Sequence, residues 1–379
     1  MTHTPLRGLL LETLRRIGPM TFERYMVQCL YHPEFGYYTN GCERTGVAGD
    51  YFTSSDLHPV FARLVARQAA EMWKVMRQPQ LFTWVEMGAG RGLFAADFLS
   101  WSALALPEFY GALDYVAIEP GSLQRQRLEA RLTGFGNKVR LIANLEELSP
   151  ATGGFFSNEL VDAFPAHVVA RVEGHLREIY VAAEEDDLRE KPGPISDPAV
   201  AAYVARYAPQ LEEGHRIEVN LHAAAWVETV AAKLVRGFVL TIDYGDMANR
   251  LFTPDRPRGT LLAYRGHTAT EDFFTAPGET DLTAHVNFSR LVDAGKEAGL
   301  DFAGFTTQER FLLALGEANQ FEDVYDTGQT EPERLQARLK LKRLISPEGM
   351  GNIFRVLVQQ RAVPNAELTG LKFERAAAR

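Results

Sequence analysis

The segment Phe82-Thr83-Trp84-Val85-Glu86-Met87-Gly88-Ala89-Gly90-Arg91-Gly92 constrains this chain more than any other. An apolar run ends in an acid and passes straight into glycine at every second position. Residues 93–99 then carry the helical spacing of Leu, Phe and Ala. Such a strand–turn–helix has no Cβ at the strand's carboxyl end, so a ligand can lie against the backbone. The amides that open the helix face the same space. A dinucleotide turn of the form G-x-G-x-x-G would need its third glycine where Leu93 stands. The chain instead has G-x-G-x-G, with Glu86 two residues ahead of Gly88. This disfavours a nicotinamide-linked oxidoreductase.

Three more short apolar runs follow. Asp114-Tyr115-Val116-Ala117-Ile118-Glu119 ends in a carboxylate, placed to accept the two ribose hydroxyls of a nucleoside if the strand is parallel to the first. Val139-Arg140-Leu141-Ile142-Ala143-Asn144 ends in a polar residue that can reach an adenine edge, and Gly154-Phe155-Phe156-Ser157-Asn158-Glu159 is the fourth. Residues 93–101 and 122–132 between them have helical spacing. The alternation implies an α/β fold with a doubly wound parallel sheet and its ligand where the strands end. Trp84, Phe82, Phe155 and Phe156 read as core.

The 379 residues suffice for one large or two ordinary domains. The net charge of −9, from 49 acids against 40 bases, argues against a general nucleic-acid binder. Cys29 and Cys42 form neither a disulfide framework nor a metal-site spacing, so no metal is expected and the compartment reads as reducing. That means the cytoplasm, or the mitochondrial matrix in a eukaryote. No apolar run approaches the roughly 18 to 20 residues that cross a bilayer.

Residues 1–80 are expected to be a helical N-terminal region: helices at 6–18, 21–31 (N-capped by Thr21) and 57–76, with a loop over 36–56 as a cofactor lid. The core domain spans 81–361, with a β-hairpin insertion at about 166–185 and a substrate-side insertion at about 246–287; a tail covers 362–379. The acidic stretch Glu184-Glu185-Asp186-Asp187 reads as a solvated turn. Further helices are expected at 198–207, 221–235, 288–298 and 332–344, and strands at 238–244, 301–308 and 352–360, the last one antiparallel.

Several separate strings resemble the MidA-type S-adenosyl-L-methionine (SAM)-dependent methyltransferases, a family that includes a mitochondrial enzyme assisting respiratory complex I assembly. They are Gly49-Asp50-Tyr51-Phe52-Thr53-Ser54, the 86–92 turn, Ser157-Asn158-Glu159-Leu160-Val161-Asp162-Ala163-Phe164-Pro165, and Asp243-Tyr244-Gly245. Tyr264-Arg265-Gly266-His267, the stretch from Pro277 through Asp281-Leu282-Thr283-Ala284-His285-Val286-Asn287-Phe288, and Met350-Gly351 complete the set, in family order over most of residues 20–360. The chain departs from the family at Ser55-Asp56, where Pro-Glu is usual, at Ala89, where proline is usual, and at His58, where the pattern has serine.

The resemblance implies a Rossmann-like class I methyltransferase sheet and SAM as cofactor. It assigns Gly88, Gly90 and Gly92 to the methionine part, Glu86 to its ammonium, Glu119 to the ribose, and Asn144 and Leu145 to the adenine. Asp50 and Thr53 would close over the cofactor. It further implies a protein arginine as methyl acceptor, with Glu159, Asp162 and Asn158 beside the reacting methyl. Asp162 has a competing reading as the cap of a following helix. His267 and His285 are alternative bases, and Asp281 either anchors its loop or meets substrate. A small-molecule acceptor and a non-catalytic SAM-binding assembly factor are the rival functions. The partner is expected to be a protein, with neither nucleic acid nor bilayer involved; the oligomeric state, a homodimer included, is open.

Overall fold

The computed structural model describes residues 4–41, 54–326, 328–346, 351–364 and 366–373. The chain forms two compact units, each drawn from three stretches. One comprises Met1–Tyr51, Val161–Trp226 and Gly245–Leu291; the other comprises Phe52–Leu160, Val227–Tyr244 and Val292–Arg379. This differs from the linear division at residues 80 and 361: the N-terminal helices and both insertions belong to one unit, while the helix Val60–Val75 belongs to the other.

The second unit carries the central sheet. Its strands are β1 (Phe82–Met87), β2 (Leu113–Ile118), β3 (Val139–Ile142), β4 (Ala151–Asn158), β5 (Leu234–Asp246), β6 (Asp301–Thr307) and β7 (Phe354–Arg361), in the spatial order β6-β7-β5-β4-β1-β2-β3. Neighbours from β5 through β4, β1 and β2 to β3 are parallel, and only β7 runs against its neighbours β5 and β6. The order reverses between β1 and β4. Crossover chains leave the two strands in opposite directions there, which opens a crevice beyond their carboxyl ends.

All six residues of β1 are buried, as expected of a parallel strand covered on both faces. Gly154 in β4 leaves room for the Trp84 ring, which a Cβ would approach to 2.6 Å. Trp84 stacks on Phe98 at 5.2 Å and on Phe156 at 5.6 Å, and Phe94 on Phe156 at 4.5 Å. Phe94 and Phe98 lie on the helix Leu93–Ala105 that follows the glycine turn. At about 1.5–3 kcal/mol per buried large side chain, this aromatic wedge presses the turn's helix onto the sheet.

In the first unit, strands Met20–Thr21, His175–Glu184, His167–Val172 and Arg216–Val219 form a sheet in that order, and Asp187–Gly193 pairs with His175–Glu184. The alternation along His167–Val172 sends Val168 and Ala170 to a core shared with helices Pro5–Ile17 and Phe22–Tyr31, and Val169 to a second core with Tyr203, Val204 and Ile217. Thr21 caps its helix as expected, accepting from the Arg24 N–H at 3.2 Å. The acidic turn is a hairpin turn, but not merely solvated. Arg7 pairs with Asp187 at 2.9 Å and Arg15 with Asp186 at 2.7 Å. The stretch from Met247 to Val286 holds a short helix and a three-stranded sheet of Leu262–Arg265, Thr268–Thr270 and Asp281–Thr283.

Candidate functional site

The carboxyl ends of β1, β2 and β3 carry the predicted cofactor residues of the sheet, and that of β4 the predicted acceptor-side residues Asn158 and Glu159. The glycine turn after β1 is built from three left-handed residues, with φ of +75° at Gly88, +51° at Gly90 and +71° at Gly92. The N–H groups of Gly88 and Ala89 both donate to the Ile118 carbonyl at 3.0 Å, which pins the turn to the end of β2. The glycines are not equivalent. A Cβ on Gly90 would meet nothing closer than the Gly88 carbonyl oxygen at 3.9 Å, whereas one on Gly92 would run into the Leu128 side chain. Gly90 borders open space; Gly92 is required for close packing against the helix Ser122–Leu132.

Glu119 bridges two loops. Its carboxylate accepts from the Gly90 N–H at 3.0 Å through one oxygen and from the Gly121 N–H at 3.0 Å through the other. Burial raises its pKa, opposed by those two N–H donors and by Arg125. Glu86 is buried and accepts from the Tyr115 hydroxyl at 2.7 Å. Burial pushes the Glu86 carboxyl up to about 8; the Tyr115 hydroxyl pulls it down, and the Glu119 charge adds to the rise. At the end of β3, the Asn144 side chain accepts from the Glu147 N–H at 3.2 Å and so caps a short 3-10 turn, while Leu145 beside it is buried. Asp50 and Thr53 lie outside the described residues, as does most of the expected lid loop.

At the end of β4, Glu159 adopts a left-handed conformation, φ +54°. Its Oε1 accepts from the Ser54 N–H at 3.1 Å and from the Asn158 side-chain amide at 2.8 Å. Among the described residues, Asn158 Oδ1 is buried without a hydrogen-bond partner. The backbone is clamped on both sides. Glu159 N–H donates to the Ile242 carbonyl at 3.0 Å, and Leu160 N–H to the buried Asp243 carboxylate at 3.1 Å. Ser54 also donates its hydroxyl to Gln308 at 3.2 Å.

Asp162 belongs to the other unit. It is buried, and it caps no helix: a turn and then the strand His167–Val172 follow it. The capping reading is thereby corrected. Its carbonyl accepts from the Ala284 N–H at 3.0 Å. In the same unit Asp281, also buried, accepts from the Tyr38 hydroxyl at 2.8 Å and faces Tyr264 across the strand pair. Tyr38 stacks on Tyr31 at 5.7 Å, and Tyr31 donates its hydroxyl to the Ala163 carbonyl at 3.0 Å. The Asp162 and Asp281 charges add to the effect of burial in raising the pKa of Tyr31 and of Tyr264. His267 sits in a tight turn with φ +61°, and His285 donates its backbone N–H to the Thr260 hydroxyl. A cleft of about 360 Å³ lined by His58, Glu333, Gln336 and Lys340 shares none of these residues.

The sequence assigns no role to Tyr115, Ser54, Asp243 or Tyr38, although Ser54 and Asp243 lie in the strings that carry the family resemblance. Tyr115 lies within a motif that was read, but only the β1–β2 register reveals that it serves Glu86: Trp84 stands opposite Tyr115 and Glu86 opposite Ala117. The other three have partners more than eighty residues away in sequence.

The cradle fits SAM on its own terms. It has open space beside Gly90, two buried carboxyls able to accept from a ligand's N–H and O–H groups, and, among the described residues, an unpartnered acceptor at Asn158. Comparison with known proteins agrees. The S-adenosyl-L-methionine-dependent methyltransferase family matches residues 64–306. A methyl transferase candidate from Burkholderia thailandensis, solved with S-adenosyl-homocysteine bound, is 31% identical, with 99% of each chain covered and a TM-score of 0.88. The mitochondrial protein arginine methyltransferase NDUFAF7 of Bos taurus is 27% identical over 97% of this chain and 86% of its own length. The Homo sapiens protein of that name is 25% identical over 98% and 86%.

Proposed function

We propose that this chain, which belongs to the S-adenosyl-L-methionine-dependent methyltransferase family, transfers the methyl group of SAM to an arginine of a protein acceptor. The relatives named protein arginine methyltransferases support the acceptor class. When bound, SAM supplies an electrophilic methyl on a sulfonium. The protein's task is then to hold the donor, align the acceptor and keep water out. In this reading Glu86 takes the ligand's ammonium, Gly88 and Gly90 let its methionine part approach, Glu119 takes the ribose hydroxyls, and Asn144 and Leu145 border the adenine. Asp50 and Thr53 are proposed to close the site.

The observation that carries the acceptor assignment is the strained, clamped Glu159. A non-glycine residue in the left-handed region costs about 1–3 kcal/mol, and such strain is kept where the position of the side chain matters. Here the strain places a carboxylate at the carboxyl end of β4, with one oxygen fixed by two donors. A guanidinium is a poor nucleophile because its charge is delocalised over three nitrogens. A fixed carboxylate orients it and localises positive charge on the nitrogens away from the methyl. Asn158 offers a neutral acceptor at the same strand end, and Asp162 is proposed as a second carboxylate for the acceptor.

Glu159→Gln keeps the side-chain shape and removes the charge. It should bind SAM like the wild type and lose roughly 10- to 150-fold in methylation rate, the effect of about 1.5–3 kcal/mol for a hydrogen bond to a charged group. Mass spectrometry of arginine methylation on a protein acceptor reads the outcome. Normal turnover by Glu159→Gln would make that carboxylate structural and remove the case for an arginine acceptor at this strand end.

A further inference from the structure

We propose that Tyr115 is a positioning residue for the cofactor site: its hydroxyl holds Glu86 in a buried place where no described residue supplies a cation, and there Glu86 carries a proton in the empty protein and gives it up to solvent when the ammonium of SAM arrives. The inference rests on the cofactor reading above and adds a proton to the binding equilibrium.

Glu86 sits in the middle of the sheet. Its neighbours in register are Ala117 on β2 and Phe156 on β4, neither of which carries charge. The residue is 5% exposed, and among the described residues its hydrogen bond comes from the Tyr115 hydroxyl at 2.7 Å. The groups that act on it electrostatically are Tyr115 and Glu119, a neutral donor and a second acid. No lysine, arginine or histidine pairs with it among the described residues. A carboxylate in such a place pays the full cost of desolvation with one neutral donor to offset it, so the protonated form is preferred until a cation enters. The position of the titration agrees, since burial carries the Glu86 carboxyl up to about 8. Tyr115 does not titrate in this range, because burial and the adjacent acid push its own pKa well above the usual value. It therefore donates in both states and stabilises the charged one more.

The proton balance is simple. Protonated Glu86 and cationic ligand give an ion pair plus one proton released to buffer. With the ligand's own amino titration, near about 8 for an α-amino group, divided out, the dissociation constant for SAM should fall about tenfold per pH unit as pH rises toward the Glu86 titration and level off above it. Isothermal titration calorimetry of SAM into the full-length protein, between pH 6 and 9 and in buffers of different ionisation enthalpy, counts the protons. The ligand's own amino group titrates equally with every variant, so differences between proteins report Glu86. Glu86→Gln should release fewer protons, bind SAM about as well as the wild type at pH 6, and fall behind it by tenfold or more at pH 8 and above. Tyr115→Phe should shift the wild-type midpoint to higher pH, whereas a residue that only packs the core would lower affinity equally at every pH. Equal proton release and parallel pH curves for wild type and Glu86→Gln would overturn the proposal and leave SAM binding intact. Failure of the wild type to bind SAM at any pH would instead strike the cofactor reading itself.

Discussion

The last two glycines of the turn show how one motif mixes ligand and packing demands. Gly90 has open space where its Cβ would be, and Gly92 has Leu128. Both are left-handed, so any side chain costs about 1–2 kcal/mol of strain at either site. Gly90→Val should leave a folded protein and abolish SAM binding, because the branched side chain fills the space beside the backbone that a ligand needs. Gly92→Ala should do the reverse, destabilising the fold by about 2–4 kcal/mol from strain plus overpacking, while the folded fraction still binds SAM. Urea midpoints and calorimetry separate the two; equal loss of SAM binding would show that Gly92 also lines the cradle. The glycine spacing and the acids Glu86 and Glu119 were legible in sequence because they lie in local strand–turn patterns. Gly92's duty was not, since Leu128 comes from a different helix. Most of the clamp on Glu159 was illegible for the same reason: beside the adjacent Asn158, its second donor and its backbone anchors come from Ser54, Ile242 and Asp243.

At the scale of elements, periodicity recovered the strands of the central sheet and most helices to within a few residues. It failed where tertiary context decides. Asp187–Gly193 has one buried residue, Leu188, among charged ones and a proline, so it reads as a loop and survives as an edge strand by pairing with His175–Glu184. The helix Gln308–Glu317 is not among the expected elements, although Phe311, Leu312 and Leu315 at helical spacing and Thr307 as its cap mark it in the sequence. The helix Val60–Val75 shows a departure from the family with a physical consequence. His58 Nδ1 accepts from the Val60 N–H at 3.1 Å and so takes over a capping role at the helix start. Protonation would end that bond and place a cation at the positive end of the helix. Burial, with Arg63 and Lys340 nearby, lowers the His58 pKa to about 4. An unfolded histidine titrates near 6.5, so between these values the unfolded chain binds more protons than the folded one. Stability from this group is therefore present above about pH 6.5 and is lost as pH falls toward 4, by roughly 2–3 kcal/mol. His58→Gln should be less stable at pH 7 and lose less on acidification, measured by urea unfolding at pH 4.5 and 7; an unchanged acid slope would mean that His58 does not cap.

The whole molecule was the least legible scale, because each unit is assembled from three stretches that no linear reading joins. The insertions looked like separate ornaments on a nucleotide-binding sheet, yet the strands from 167 to 219, the N-terminal helices and the 262–283 sheet segments share one unit and, in part, one hydrophobic core. What composition does report at this scale is charge. The chain carries 49 acids against 40 bases, net −9. An acceptor that presents arginine is cationic at its reacting end, so the long-range field should draw it in, and fields of this kind act on encounter more than on the bound state. Raising ionic strength from about 0.05 to 0.5 M shortens the Debye length from beyond 10 Å to below 5 Å. For a basic arginine-bearing peptide, kcat/KM should then fall several-fold while kcat stays within about twofold. The same peptide with aspartates flanking the arginine should show a flat or opposite salt dependence, because the field now repels part of it. Steady-state kinetics across that salt range gives the answer. Salt-independent kcat/KM for the basic peptide would mean that recognition rests on short-range contacts at the site alone, and that the excess of acids plays no part in capturing the acceptor.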